Sequence, residues 1–390
     1  MDEDALKQNC QRLRAWWLTL LALGVVLTMT PAGSARAGEV FQGKEAMATL
    51  RMLAKHAAAN LNSIKTWKAE FQYTLVYSHG EQTAAIAISQ AHATDLTLSG
   101  PLRQEDSGRI LLCYSSSLDA FSCFVKNNGP PQITAPRGDQ QAISNQLATF
   151  HQHAIITPDR FLHFMPEVLH AQSAENRVGD GTPTRMAFRD PLADTAGREW
   201  TDLVNPRTLL SMDDVPFHTW LNRFPDFYEK ATPDVRKTYD DSISIEKQTS
   251  KSGTDRYIMK WNAAAWTKVI QFPQESGYLP TEYTTYARDG EVLSDYTWKY
   301  VASGHVFVPE ALTRETFASA TSDATTKYTL RLVASSLNKP IDESEFTVNA
   351  FGLKDGERFL DRVDGKLWIW KSGKLIEVAS YNTSLQSDPR

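Results

Sequence analysis

The sequence predicts an α+β protein built on an antiparallel β-sheet. Three observations carry this reading. An apolar stripe at three- and four-residue steps runs from Lys44 to Ile64, the period of a helix with one buried face. Immediately afterwards the period drops to two, as in a strand with one buried face. The second half then holds a succession of strand-like runs joined by hairpin-type turns, with no helix-sized crossover, so neighbouring strands pair antiparallel.

Residues 1–37 read as an address. Lys7, Arg12 and Arg14 precede an apolar run of 16 residues, Ala15 to Thr30, and Ala35-Arg36-Ala37 supplies a small-x-small cleavage signal. These are the three parts of a secretory peptide, and the run is shorter than the roughly 20 residues of a spanning helix. An uncleaved membrane anchor is the alternative. We expect a signal peptide over 1–37, removed together with Cys10, and a periplasmic or secreted mature chain with no membrane span. Cleavage leaves 390 − 37 = 353 residues with 37 Lys+Arg and 43 Asp+Glu, a net charge of −6. The full chain is 42% hydrophobic and 22% charged, which suits a globular protein and excludes disordered, collagen-like and coiled-coil classes. Without a Lys/Arg stripe, nucleic acid is not an expected partner.

The first helix buries Leu50, Leu53, Ala54, Ala57, Leu61 and Ile64. In the strand that follows, Phe71, Tyr73, Leu75 and Tyr77 share one face and Gln72, Thr74 and Val76 the other. His79-Gly80 turns the chain, and further strands are expected at Ala84 to Ser89, Asp95 to Leu98, Arg109 to Tyr114 and Ala120 to Lys126. The last two carry Cys113 and Cys123. Their index sum is even, so a hairpin with an odd-length loop would place them opposite each other. In an oxidising compartment we expect them to form a disulfide, which on the chain-entropy account adds about 3 kcal/mol. The alternative, a catalytic or metal-binding pair, lacks CxxC spacing and a nearby His.

The middle reads as a helical insert over about 138–234. Gly138 to Phe150 fits one helix. Thr157-Pro158 followed by Phe161, Met165, Val168 and Leu169 fits a capped second one, kinked at Pro166. Asp190 to Asp234 is crowded with Pro and aromatic residues, which favours short helices and ordered loops over an apolar surface.

The strand candidates of the second half are Ser242 to Lys247, Asp255 to Trp261, Thr267 to Phe272, Thr281 to Arg288, Glu291 to Val301, Val306 to Phe317 and Thr325 to Ala334. Turn pairs such as Ser252-Gly253, Asp289-Gly290 and Ser303-Gly304 separate them. A two-residue loop at Asp289-Gly290 makes opposed indices sum to 579, which puts Tyr283, Thr285, Ser294, Tyr296 and Trp298 on one face. That face is aromatic but diluted with hydroxyls, which favours a curved sheet lining a hollow; a plain filled core is the alternative. After Asn338-Lys339-Pro340, the runs Arg358 to Val363, Lys366 to Trp370 and Leu375 to Ala379 form a small terminal meander over 351–390. Its Trp368 and Trp370 share a face and are expected to pack on the main body, with an exposed binding surface as the alternative.

Local sequences carry a resemblance. They are Leu61-Asn62-Ser63-Ile64-Lys65-Thr66-Trp67 leading into Phe71-Gln72-Tyr73, Gly277-Tyr278-Leu279-Pro280 before the long hairpin, and Leu337-Asn338-Lys339-Pro340-Ile341 followed by Phe346 and Gly352-Leu353-Lys354-Asp355-Gly356. With the secretory peptide and the meanders flanking a helical insert, the chain resembles the LolA-like superfamily, which includes outer-membrane lipoprotein-sorting proteins and RseB-like periplasmic proteins. The resemblance implies a strongly curved antiparallel β-sheet, a half-barrel over 38–350, with helices across its mouth. It also implies a concave face that holds acyl chains. On that basis the ligand-facing residues are Phe71, Tyr73, Leu75, Tyr77, Tyr283, Tyr296 and Trp298, and the implied partner is a lipid or acylated lipoprotein. No latch residue is assigned, since no motif identifies one.

Motifs for chemistry are absent from the sequence. His151-x-His153 does not share a helical face, and no HExxH, GxSxG, P-loop or GxGxxG accompanies it or His163 and His170. Asp240-Asp241 reads as a solvated pair. No cofactor or metal is expected. The reading is a non-catalytic exported carrier or sensor. Its alternatives are a hydrolase of envelope polymers, whose paired carboxylates only a fold could reveal, and an envelope interaction module that docks a protein partner through residues 190–234.

Overall fold

The computed structural model describes residues 38–79, 102–129, 132–134, 151–157, 160–165, 186–190, 205–209, 215–317, 325–361 and 363–380. The expected signal peptide, the strands at 84–89 and 95–98 and the helix at 138–150 lie outside these residues.

The chain opens with β1 (Glu39–Gln42), α1 (Gly43–Ser63), β2 (Thr66–His79), β3 (Leu102–Ser115) and β4 (Ala120–Asn127). Four shorter pieces follow: β5 (Gln132–Thr134), β6 (His151–Thr157), β7 (Arg160–Met165) and β8 (Met186–Asp190). Two helices come next, α2 (Phe217–Lys230) and α3 (Pro233–Ser242). The long meander is β9 (Ile243–Thr249), β10 (Asp255–Asn262), β11 (Trp266–Pro273), β12 (Glu282–Ala287), β13 (Val292–Ser303), β14 (Val306–Thr316) and β15 (Thr325–Leu337). It ends in β16 (Arg358–Asp361), β17 (Lys366–Lys371) and β18 (Lys374–Ser380).

Backbone ladders join these strands into one sheet. From β1 it passes through β9 to β15 in chain order, then β2, β3, β4, β6, β7, β8 and β16 to β18, with β5 attached to β3. Every ladder is antiparallel except β8 with β16. No ladder among the described residues returns from β18 to β1, so the sheet is open and these strands are its edges. The architecture is thus the expected α+β half-barrel.

Three expectations need correction. His151–Thr157 and Arg160–Met165 pair as β6 and β7, in place of the helix expected from Thr157 onward: Ile155, Phe161, Leu162 and Phe164 are all buried, so burial on both faces erases the period-two signal. The insert is therefore part strand, part helix. The cysteines are free and buried. The loop between β3 and β4, residues 116–119, has an even length, so Cys113 faces Ser122 and Cys123 faces Leu112; the two thiols project from opposite sides of the sheet. At the 289–290 hairpin the sum of 579 holds from Glu282↔Thr297 to Thr285↔Ser294. The register then shifts, because the loop is Arg288-Asp289-Gly290, closed by Ala287 N donating to Glu291 O (2.7 Å), with Gly290 at φ 90°. β16 to β18 form a meander that joins the main sheet through the parallel β8–β16 pairing.

α1 lies on the inner face. Its Ala46, Met47, Leu50, Leu53, Ala54 and Ala57 are buried in one cluster with Phe71, Ile110, Leu112, Ile245, Met259, Ile270, Phe272, Trp298, Leu312 and Leu330. The hollow expected from the sequence is thus occupied by the chain's own helix. Gly43 starts α1 at φ 54°, where a Cβ would meet Asp240 Oδ1 at 2.8 Å. Asn338, also left-handed (φ 53°), ends it: its Nδ2 donates to Ser63 O (2.9 Å) and its Oδ1 accepts from Lys65 N (2.7 Å). The outer face carries a second cluster, in which Cys113, Ile155, Leu162 and Phe164 meet Phe346, Phe351, Leu353 and Phe359, with Trp368 and Trp370 packed against it.

Candidate functional site

Because paired residues on neighbouring strands project to the same side, the ladders define rows across the inner face. The innermost row described here runs Trp298, Leu312, Leu330, Tyr73, Gly108, Asn127. Two residues further along the strands comes Ile270, Tyr283, Tyr296, Arg314, Tyr328, Leu75, Asp106. The third row, furthest from the α1-packed residues, is Trp261, Lys268, Thr285, Ser294, Thr316, Thr326, Tyr77, Gln104. The face therefore changes from apolar to amphipathic over about 14 Å, four residues along β13.

All seven residues expected to face a ligand lie on this side of the sheet. Phe71, Tyr73, Tyr283, Tyr296 and Trp298 are buried in the cluster that includes α1, Leu75 packs against it, and Tyr77 stands half-buried in the third row. Tyr283 and Tyr296 are 5.2 Å apart and Tyr296 stacks on Trp298 at 5.7 Å, so the hairpin residues form one aromatic strip.

Sequence reasoning missed the polar groups beside that strip. Lys268 Nζ lies 4.7 Å from the centre of a Trp266 ring, 5.4 Å from Tyr283 and 5.7 Å from Trp261. Trp261 in turn meets Phe224 of α2 edge-on at 5.0 Å. The Arg314 guanidinium lies over Tyr296 at 5.4 Å. On the β2–β3 side, Gly108 lets the Tyr73 ring cross the neighbouring strand, since a Cβ there would stand 2.7 Å from it. The Tyr73 hydroxyl thereby bonds to Asn127 Oδ1, and Asn127 Nδ2 donates to Asp106 Oδ2 (3.2 Å). Burial holds the Tyr73 phenol and the Asp106 carboxyl above their ordinary values. None of these groups sits in a motif; each acquires its neighbours only through strand pairing.

Polar contacts hold α1 over the face. Asn60 Nδ2 donates to Phe307 O (3.0 Å) and Asn60 Oδ1 accepts from Phe307 N (2.8 Å), joining the end of α1 to β14. Arg51 pairs with Asp226 (3.2 Å) and with Glu229 on α2. Asp240, expected to be solvated, accepts from the Tyr228 hydroxyl (2.9 Å) and so links α3 to α2. A polar cleft of about 360 Å³ opens beside the end of α1, lined by Asn62, Lys65, Tyr114, Ser116, Asp119 and Arg207, whose last two members form an ion pair at 3.2 Å.

Two sites of familiar chemistry do not form. Ser122 Oγ and His153 Nε2 are 2.9 Å apart, but both residues are buried on the outer side, with the ring in edge contact with Phe351 at 5.0 Å. Burial pushes the imidazole down to about 4, and a contact to the Ala350 backbone holds it in place. Among the described residues no group of three His, Cys, Asp or Glu is placed to hold a metal ion. No described helix is long and apolar enough to cross a membrane.

These features define an open antiparallel half-barrel whose inner face is aromatic, graded in polarity and covered by helices. No protein-family model matches the chain, and no curated protein matches it. Among solved structures it is similar to a DUF1329 family protein from Desulfovibrio piger (7% identity, 78% of this chain and 98% of that one, TM-score 0.35). It is also similar to a LolA superfamily protein from Nitrosomonas europaea (12% identity, 77% and 98%, TM-score 0.32). A third is a domain from Vibrio parahaemolyticus described as an outer membrane lipoprotein-sorting protein (10% identity, 78% and 98%, TM-score 0.35).

Proposed function

We propose that this protein is a non-catalytic exported carrier or sensor that takes up a lipid or acylated chain on the inner face of its sheet when α1 moves aside. The observation that carries the reading is the aromatic strip Tyr283, Tyr296 and Trp298, buried in the same cluster as a helix whose end is tied to β14 through one asparagine. Each methylene transferred from water to such a face contributes about 0.8 kcal/mol, which offsets the apolar contacts that α1 gives up when it moves. The helix in turn shields the face from water while no cargo is present. A cargo that must displace part of the fold is held less tightly than one entering an open cavity, which suits a protein that has to release it. Titrating delipidated protein with a fluorescent fatty acid tests the proposal. Saturable binding at one site is the expected result, and its absence overturns the proposal.

A further inference from the structure

Lys268 stands in an unusual place for a lysine. It is half-buried on the inner face, and among the described residues its contacts are the rings of Trp261, Trp266 and Tyr283 rather than a carboxylate. Cation–π contacts hold the ammonium in position without neutralising its charge. On the strands beside it, the residues in register are Thr285 and Ser294, so one cation and two hydroxyls occupy adjacent positions of one row. The aromatic strip begins one row deeper, at Tyr283 and Tyr296, and leads to Trp298 in the sealed apolar part. A row of one cation and two hydroxyls, followed along the strands by the Tyr283–Tyr296 pair beside Arg314 and then by Trp298, matches an amphiphile lying along the strands, head outward.

We infer that Lys268 marks the head-group end of the inner face and that its occupant is a long-chain carboxylate, a fatty acid, with its chain over Tyr296 and Trp298. The Lys268 ammonium, flanked by hydroxyls, balances a monoanion and donates charge-assisted hydrogen bonds to its oxygens. This inference rests on the reading of the inner face as a lipid site.

The test compares two ligands with the same chain, oleate and oleyl alcohol, displacing a neutral fluorescent probe from delipidated protein. The wild type binds oleate on the order of tenfold more tightly than the alcohol, as expected for a hydrogen bond to a charged group. Lys268→Met removes the preference by weakening oleate binding on the order of tenfold relative to the alcohol, whereas Lys268→Arg, which keeps the charge, retains it. Equal affinities in the wild type, or a preference that survives Lys268→Met, overturn the inference while leaving the carrier reading intact. Failure of both ligands to displace the probe overturns both.

Discussion

If α1 has to leave the inner face before a ligand can settle there, loosening α1 must strengthen binding while weakening the fold. Asn60→Ala separates these effects. The substitution removes the two hydrogen bonds to the Phe307 backbone, at 3.0 and 2.8 Å. At about 1 kcal/mol net for each, the covered state loses about 2 kcal/mol. The population of the uncovered state rises by the corresponding factor, about thirtyfold, and the apparent affinity rises with it, because a ligand that binds only a minor state is penalised by that state's rarity. Fluorescent fatty acid titration of wild type and Asn60→Ala, alongside urea unfolding of both, measures the two quantities. The expected result is tighter binding by about thirtyfold with an unfolding free energy lower by about 2 kcal/mol. A variant that loses the stability but binds no more tightly would refute the idea that α1 gates the face.

Other expectations follow from the same structure. His153 has its folded-state pKa depressed to about 4 by burial, against an ordinary 6.5, so between these values the unfolded chain binds a proton that the native one refuses. Stability therefore falls as the pH drops from 7 to 5, by about 2 kcal/mol from this group at about 1.4 kcal/mol per unit, and urea midpoints of wild type and His153→Gln should converge on acidification. Gly108→Ala drives a methyl into the Lys126 carbonyl and the Tyr73 ring, and should cost about 3 kcal/mol or abolish soluble expression, as read by thermal unfolding. Cys113 and Cys123 are buried free thiols whose burial raises their pKa values to about 11 and about 12. Both should resist DTNB in the native protein and react once it is unfolded without reductant; a disulfide would leave neither reactive.

The parts of the fold that were legible in the sequence are those with local causes. α1 and β9 to β15 were readable because each has one buried face and each turn is encoded by the residues within it. The same arithmetic brought Tyr283, Tyr296 and Trp298 to one side of the sheet. Reading failed where partners are remote in sequence. β6 and β7 are sandwiched between two clusters, so their apolar residues imitate a helical spacing. The cysteine pairing failed on one residue of loop length, which in a strand moves a side chain to the opposite face. Lys268 was invisible as a site residue because Trp261, Tyr283 and Thr285 reach it only across ladders. The hollow was misjudged for a related reason: facial composition says that a surface is apolar, and it does not say whether a guest or the chain's own helix covers it.

The order of strands has a consequence for how such a chain acquires its shape. β2, made early, pairs with β15, and β8 pairs with β16, so two interior seams join segments that are far apart along the polypeptide. During synthesis from the N-terminus, the edge of β2 that faces β15 has no lasting partner until residues 325–337 have emerged. Long-range pairings of this kind close slowly, and an open strand edge invites pairing with other chains in the interval. Truncation before residue 325 should therefore yield not a smaller domain but an aggregation-prone fragment, and assistance during the wait matters more for this protein than for one built from successive hairpins alone.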